Sequence, residues 1–167
     1  MELSVAAALK RIGEPFSFEI TEKPEPLLYG GREISFLSPL TVKGTYVFDG
    51  KAFLLNGSAE TVLSSVCARC AAVFPEPYGF PVEERFVKAS ELSEEEDAYP
   101  YMGDRLEIGQ AVLDNLYLHL PLVSVCRKDC KGLCPVCGCN RNTVSCNCES
   151  AAPDNPFAAL FGQHDKE

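Results

Sequence analysis

The first half of the chain alternates apolar and polar residues with a period of two, which is the pattern of half-buried β-strands. Phe16, Phe18 and Ile20 begin the pattern, each followed by a polar neighbour. Similar runs predict further strands over 33–36, 41–48, 51–66 and 71–87. Because these strands follow one another without intervening helices, the pattern predicts a curved antiparallel sheet or a partly open barrel.

Turn-forming residues mark the ends and edges of these strands. The Asp49-Gly50 pair predicts a hairpin between two of them, and Gly57 is a candidate bulge. Proline has no amide hydrogen to donate, so the strand over 71–87 is expected at an edge or bend, given Pro75, Pro77 and Pro81. Before the first strand, residues 4–11 predict a short helix capped by Ser4.

The period changes after Asp104, where apolar residues begin to recur every fourth position: Ile108, Val112, Leu116 and Leu120. This spacing predicts a helix over 104–120 that packs on the sheet. Asp104 is expected to cap it with Glu107 in the reciprocal position, and Pro121 marks its end. The predicted fold class is therefore α+β, with one main helix leading into a C-terminal cysteine-rich segment.

Composition and charge narrow the function. The 167 residues carry a net charge of −9 with 46% hydrophobic residues, which predicts a folded domain and argues against a general, charge-driven RNA coat. Glu2 precedes the N-terminal apolar run while Lys10 and Arg11 follow it, the reverse of a secretory signal. We therefore expect a cytoplasmic protein whose thiols stay reduced, which favours metal binding over disulfides.

Residues 126–148 hold seven of the nine cysteines but offer only Leu133, Val136 and Val144 for burial. Packing of so few apolar side chains does not offset the entropy lost on ordering this stretch. Thiolate ligands on a metal ion can supply the difference, and four-cysteine sites are typical of structural zinc. The expected cofactor is Zn²⁺.

The cysteine spacing divides eight thiols into two sites. Cys134 and Cys137, in a knuckle that ends at Gly138, are expected to share one zinc with Cys146 and Cys148. Cys67 and Cys70 follow a predicted strand and need two further ligands, for which the candidates at the end of the helix are Cys126 and Cys130. This arrangement would join the β-rich half to the C-terminal segment.

An alternative partition has a single zinc in the C-terminal segment, with Cys67 and Cys70 as a reduced pair or a redox couple. In either partition Cys139 is a spare thiol. His119 is the one histidine near the cysteines in the sequence, and we expect it to pack against neighbours because the cysteines already suffice as ligands.

These motifs together resemble the YceD family of large-ribosomal-RNA accumulation proteins. The resemblance rests on Cys67-Ala68-Arg69-Cys70, on the sequences 104–108 and 118–121, and on the cysteine string 126–148. The stretch 155–160 is similar to one of the family's tail variants. Two positions depart from the family pattern: Cys139 stands where a lysine is more frequent, and Arg141 where many members have leucine.

The resemblance implies a cytoplasmic or plastid factor for accumulation of large-subunit ribosomal RNA, with no established enzymatic activity. The expected partner is precursor ribosomal RNA or a ribosomal protein, with no membrane and no small-molecule substrate. The expected organisation is a β-rich domain over 1–125, a zinc segment over 126–150 docked on it, and a tail over 151–167.

Five basic residues lie inside or beside the cysteine motifs: Arg69, Arg127, Lys128, Lys131 and Arg141. They either neutralise the charge of the thiolates or form a local basic face that contacts RNA phosphates or an acidic partner. Two other functions stay open at this point, a protein-binding adaptor without RNA contact and a thiol-redox protein that uses Cys67 and Cys70.

Overall fold

A computed structural model describes residues 1–93 and 97–148. The tail expected over 151–167 lies outside these residues, and with it the two alternatives for Phe157, Leu160 and Phe161, which are an apolar docking turn or packing on the core. The elements in chain order are β1 (Glu2–Ser4), a 3-10 turn (Ala8–Lys10), β2 (Pro15–Glu22), β3 (Leu27–Tyr29), β4 (Arg32–Phe36), β5 (Leu40–Phe48), β6 (Ala52–Val66), β7 (Val73–Lys88), β8 (Tyr99–Tyr101), β9 (Arg105–Glu107) and α1 (Gly109–His119).

The long hairpin of β6 and β7 is the frame of the sheet. The two strands pair along their whole length, from Ala52 with Val87 to Val66 with Val73. The other edge of β6 is shared by β5 and β4, while β2 extends the sheet beyond β5 and β3 extends it beyond β4. The antiparallel strands form an open sheet, which confirms the predicted fold class.

Glycine and proline shape this sheet as their chemistry requires. Gly57 pairs with Gly44 in continuous register rather than forming the predicted bulge. A Cβ on Gly57 would lie 2.5 Å from the carbonyl oxygen of Lys43, so the absence of a side chain lets two strands approach closely. In the described residues β7 has an outer neighbour only at Phe86–Lys88, which confirms the edge predicted from its prolines.

The core lies between one face of the sheet, helix α1 and the N-terminal segment. Phe53 is fully buried among the rings of Tyr46, Phe48 and Tyr101, and the predicted apolar positions Val112 and Leu116 of α1 are fully buried as well. No helix in the described parts of the chain is long and apolar enough to cross a bilayer.

The helix begins later than predicted. It starts at Gly109 without a side-chain cap, so the capping roles expected of Asp104 and Glu107 are wrong. Residues 105–107 instead form β9, which pairs with β1 and buries Leu106 completely. This pairing supplies backbone partners and apolar burial that a further helical turn would lose.

The predicted N-terminal helix is also largely replaced. Glu2–Ser4 is the strand β1, and Ser4 caps no helix, since the one short turn at Ala8–Lys10 follows Ala7. Helix α1 ends at His119, before Pro121, as predicted. The His119 ring stacks on Phe80 and its Nδ1 lies 2.8 Å from the Asn115 carbonyl oxygen, in agreement with a packing role.

Candidate metal centres

The turn between β6 and β7 brings Cys67 and Cys70 together. The Ala71 amide donates to the carbonyl oxygen of Cys67 at 2.9 Å, and the Cys67 amide donates to that of Ala72 at 2.9 Å. Ala71 has φ of 56° and is the one non-glycine residue with a left-handed backbone among those described. This turn leaves Cys67 and Cys70 only 2% and 4% exposed.

The segment after α1 delivers two more thiols to the same point. The Ser124 carbonyl oxygen accepts a hydrogen bond from the Ala68 amide at 2.9 Å, which fixes the path of the chain into Cys126. The Sγ atoms of Cys70 and Cys126 are then 3.8 Å apart, as are those of Cys67 and Cys130. We call these four residues the junction cluster, and all four sulfurs lie within 4.8 Å of one another.

The junction cluster has dimensions that suit a tetrahedral thiolate site. Zn–S bonds of about 2.3 Å place the sulfurs of a regular tetrahedron about 3.8 Å apart. Both measured separations are 3.8 Å, whereas a disulfide bond would be about 2.05 Å long. The four thiols predicted as one ligand set therefore lie at the spacing that a bound metal ion requires.

The thiols of the junction cluster differ in their readiness to ionise. The backbone amide of Cys126, together with those of Cys70 and Arg69, lowers the pKa of Cys67 to about 6 against the opposing effect of burial. Burial and the neighbouring thiols raise the pKa of Cys126 to about 12. Four thiolates in contact require a cation to offset their repulsion, which is the role of a bound metal.

A second group of thiols repeats the same local turn. The Gly138 amide donates to the Cys134 carbonyl oxygen at 2.9 Å, and Gly138 has φ of 72°. The amides of Cys137 and Val136 lower the pKa of Cys134 to about 6. Four sulfurs lie within 4.8 Å of one another and form what we call the distal cluster: Cys134, Cys137, Cys139 and Cys146.

The distal cluster differs from the predicted ligand set at one position. Three of its predicted members meet, but the fourth sulfur is that of Cys139, which the sequence suggested was spare. The predicted ligand Cys148 is outside this mutually close group. Its interaction with the Cys137 thiol is the largest cause that raises the pKa of Cys148 to about 12. The structure therefore gathers four of the five thiols of residues 134–148 at this site.

Asn142, in the loop between Cys139 and Cys146, connects that loop to the junction cluster, and the sequence prediction missed it. Its Oδ1 accepts from the Arg127 guanidinium at 2.8 Å and the Lys131 amide at 2.9 Å, while its Nδ2 donates to Cys130 Sγ at 3.3 Å. The backbone and side-chain amides of Asn142 both donate to the Oδ1 of Asn140, which fixes the position of Asn142. The available signal was the Gly-x-Asn-x-Asn spacing between the cysteine pairs.

The predicted basic residues divide into two kinds. The Arg69 guanidinium donates to the carbonyl oxygens of Lys128 and Cys130, each at 3.3 Å, and Arg127 contacts Asn142 and Asp129. The contacts of these two arginines stabilise the chain around the junction cluster. Lys128, Lys131 and Arg141 are also exposed, on the same segment.

Comparison with known proteins places this arrangement in context. The chain is 29% identical to the large ribosomal RNA subunit accumulation protein YCED homolog 1, chloroplastic, of Zea mays, over 57% of this chain and 43% of the maize protein. The Arabidopsis thaliana protein of the same name is 24% identical over 74% and 48%. An uncharacterized protein of Mycobacterium bovis is 30% identical over 51% and 43%.

The chain thus spans less than half the length of these relatives. No solved structure matches it significantly. The sequence profile described as large ribosomal RNA subunit accumulation protein YceD matches residues 55–162, which include most of β6, all of β7 and α1, and every cysteine of both clusters. The chain therefore belongs to the YceD family.

Proposed function

We propose that this protein is a zinc-stabilised, non-enzymatic factor that acts in the cytoplasm and supports accumulation of large-subunit ribosomal RNA by binding its precursor. The observation that carries the proposal is the junction cluster, in which four thiols from two distant parts of the chain meet at tetrahedral spacing. The maize and Arabidopsis relatives bear the name of large ribosomal RNA accumulation proteins, which supports the ribosomal role.

Zinc is the proposed ion because both clusters consist of thiols alone. Sets of four cysteines on CxxC turns favour Zn²⁺, which adopts tetrahedral sulfur coordination without redox chemistry. We propose one ion in each cluster. The junction ion is held by Cys67, Cys70, Cys126 and Cys130, and the distal ion by Cys134, Cys137 and Cys146 with a fourth thiol from Cys139 or Cys148.

The junction ion would fasten the segment 126–150 to the domain 1–125. Backbone contacts already join the two parts, since the Leu133 amide donates to the Arg69 carbonyl oxygen at 2.9 Å. Gly132 passes so close that an added Cβ would lie 3.0 Å from the same oxygen. We propose that the segment is a docked extension of the sheet domain, with 151–167 as a separate tail.

The proposed RNA contact lies on the surface of this docked segment. Lys128, Lys131 and Arg141 are exposed there, on a protein whose net charge of −9 would otherwise repel RNA. Binding through contacts between basic side chains and phosphates weakens as salt is added. The logarithm of the binding constant falls with the logarithm of the salt concentration, with a slope of about 0.7 to 0.9 per phosphate neutralised. The proposed interaction is therefore local and strongly salt dependent.

Three rival functions receive less support. A dithiol couple of Cys67 and Cys70 alone is disfavoured because both thiols also contact those of Cys126 and Cys130. An adaptor without RNA contact would require an acidic protein partner for the exposed basic residues, whereas RNA supplies phosphates for them directly. An RNA-cleaving enzyme would be expected to show a cluster of carboxylates for paired metal ions, and the candidate metal sites in the described residues consist of cysteines.

The test is recovery of the tagged full chain from growing cells, followed by sequencing of bound RNA and identification of bound proteins. We expect enrichment of large-subunit ribosomal RNA precursors, lost when Lys128, Lys131 and Arg141 are all replaced by Glu. The matched control replaces Lys10, Lys23 and Lys88, which are exposed elsewhere on the domain, with the same change of charge.

The outcomes separate the rivals. Equal loss in the triple variant and its control would show that overall charge, not this surface, determines binding. Enrichment of one ribosomal protein without RNA, unchanged in the triple variant, would support the adaptor. Recovery of nothing ribosomal would contradict the proposed function.

A further inference from the structure

A groove opens where β4 separates from β6. The register of their pairing ends at Ser35 with Ser64, and the next hydrogen-bonded pair of that register, Glu33 with Val66, is not formed. The space between them has a volume of about 270 Å³, near the lower end of ligand-pocket volumes. We call it the β4–β6 groove, and the residues that line it include Tyr29, Glu33, Leu63, Val66, Glu76 and Leu122.

The backbone of β6 offers hydrogen-bonding groups to this groove. The Leu37 amide donates to the Val62 carbonyl oxygen at 2.7 Å, so the peptide groups of Val62 face β4. Backbone groups alternate between the two sides of a strand, and those of Val66, four positions further along β6, therefore face the same side. Among the described strands Val66 pairs only with Val73 of β7, on the opposite side. Such an open edge can accept an added strand.

Apolar side chains around the groove stay accessible to a ligand. Tyr29, Val66 and Leu122 are 39%, 47% and 90% exposed, whereas the lining residue Leu63 is 2% exposed. The Tyr29 ring stacks on that of Tyr117 in α1 at 5.7 Å between centroids, which fixes this wall. Exposed apolar side chains grouped around a concave surface are typical of an interaction site.

Two carboxylates give the groove a negative charge. Glu33 and Glu76 both line it, and none of the described lining side chains is basic. The Ser124 hydroxyl donates to Glu76 Oε2 at 2.8 Å, which holds this carboxylate at the groove without changing its charge. The groove should therefore repel RNA phosphates and attract lysine and arginine side chains.

We propose that the β4–β6 groove binds a short extended segment of another protein, one that carries both apolar and basic side chains. The segment adds to β6 at Val66, buries apolar side chains against Tyr29 and Leu122, and places basic side chains near Glu33 and Glu76. The inference goes beyond the proposed function. This second contact surface is opposite in charge to the proposed RNA surface, and it requires no RNA.

Charge separates this occupant from those that the chain itself could supply. The apolar stretch 156–161 of the tail contains no basic residue, and Lys166 stands between Asp165 and Glu167. A second copy of the chain would bring its own net charge of −9 to an acidic groove. A basic partner gains from the same carboxylates.

The test measures binding of synthetic peptides to the full chain purified anaerobically. The probe is a library of short peptides with valine, leucine or phenylalanine at some positions and lysine or arginine at the others. In a matched library, glutamate replaces the basic residues. We expect binding by fluorescence anisotropy from the basic library alone, with amide NMR shifts centred on Val66 and Tyr29. Failure of the basic library to bind, or shifts centred elsewhere, would overturn the inference.

Charge variants test the role of the two carboxylates. Glu33→Gln/Glu76→Gln should weaken binding by about five- to tenfold, as expected for the loss of two surface ion pairs. The matched control is Glu83→Gln/Glu107→Gln, at two exposed positions elsewhere on the domain, for which we expect a change within about twofold. Equal weakening by both pairs would mean that overall charge attracts the peptide, contrary to the inference.

Methylation of the peptide's backbone amides tests strand addition. Successive residues of an added strand point their amides to opposite sides, so methyl groups on one alternate set should abolish binding and those on the other set should not. Equal effects of the two sets would contradict addition to β6.

Two further measurements test the other occupants. Replacement of Phe157, Leu160 and Phe161 by Ser should leave peptide affinity unchanged, and a several-fold gain would assign the groove to the tail. Sedimentation should show no dimer that the peptide dissociates, since such a dimer would assign the groove to a second copy. Either result would overturn this inference and leave the proposed function intact, whereas failure to recover ribosomal RNA would not affect peptide binding.

Discussion

The junction and distal clusters begin with the same turn but have opposite structural roles. In each, a CxxC pair is followed by a left-handed residue, Ala71 or Gly138, whose amide bonds back to the first cysteine. The junction cluster joins Cys70 to Cys126, 56 positions away, and is buried. The distal cluster is formed within 134–146, with Cys134 buried, Cys137 exposed and the other two cysteines partly buried. One local turn thus serves both long-range fastening and local shape.

Sequence separation explains why the junction cluster should matter more for the fold. The entropy cost of closing a loop of 56 residues exceeds that of the nine-residue loop between Cys137 and Cys146 by about 1.6 kcal/mol, and metal ligation offsets it. The larger difference lies in what each loop holds in place. The junction cluster holds the whole segment 126–148 against the sheet, whereas the distal cluster holds only the loop that contains its own cysteines.

The largest predicted contrast comes from removing one ligand from each cluster. Cys67→Ser should lose one ion and undock residues 126–148, at a cost of about 4 kcal/mol or more of unfolding free energy. Cys146→Ser should also lose one ion but leave the docking intact. Hydrogen exchange of the backbone amides in the segment, with ion counting on the same samples, measures both effects. Equal loss of amide protection in the two variants would contradict the different structural roles of the two clusters.

Asn142 tests how much the hydrogen bonds around Cys130 contribute to stability. Asn142→Ala removes the acceptor for Arg127 and Lys131 and the donor to Cys130, and should destabilise the zinc-loaded protein by about 2–3 kcal/mol. The matched control is Asn147→Ala, an exposed residue for which we expect a change within about 0.5 kcal/mol. Chemical denaturation measures both, and indistinguishable midpoints would show that the network contributes nothing.

Two glycines sharpen the comparison further. Gly132 and Gly138 both have φ of 72°, but only a Cβ on Gly132 would meet the Arg69 carbonyl oxygen, at 3.0 Å. Gly138→Ala should cost about 1 kcal/mol from backbone strain alone, and Gly132→Ala about 2–3 kcal/mol because it also pushes the docked segment away. A larger effect at Gly138 in chemical denaturation would contradict the fastening role of the junction.

The smallest predicted effect has the opposite sign. Ala71 adopts at the junction turn the conformation that Gly138 adopts at the distal turn, although a Cβ disfavours it by about 1–2 kcal/mol. Ala71→Gly should therefore stabilise the zinc-loaded protein by about 0.5–1 kcal/mol after the entropy cost of glycine is subtracted. A lower melting temperature than that of the parent would show that the Ala71 side chain packs usefully.

Local patterns predicted much of this molecule because their causes are local. The hairpin of β5 and β6 follows from alternation and from Asp49-Gly50, where the Asp49 carboxylate accepts hydrogen bonds from the amides of Lys51 and Ala52 at 2.8 and 2.7 Å. The meeting of Cys67 and Cys70 with Cys126 and Cys130 followed from counting ligands, and the structure brings those four together.

The predictions that failed or were incomplete depend on contacts between distant residues. Helix α1 starts at Gly109 because Leu106 pairs with Leu3 of β1, a partner more than a hundred positions away that periodicity cannot reveal. The position of Cys139 depends on how the knuckle folds back, with the Cys134 amide bonded to the Cys139 carbonyl oxygen at 2.8 Å. Asn142 gained its role only once the two clusters were side by side.

The central claim is that metal bound at the junction cluster fastens the cysteine segment to the sheet. Its most direct test is elemental analysis of the full chain purified anaerobically without chelator, combined with hydrogen exchange and thermal unfolding before and after chelation. We predict two equivalents of zinc, and on chelation the loss of amide protection in the segment while the sheet stays folded. A metal-free preparation that melts cooperatively with the segment protected would contradict the claim.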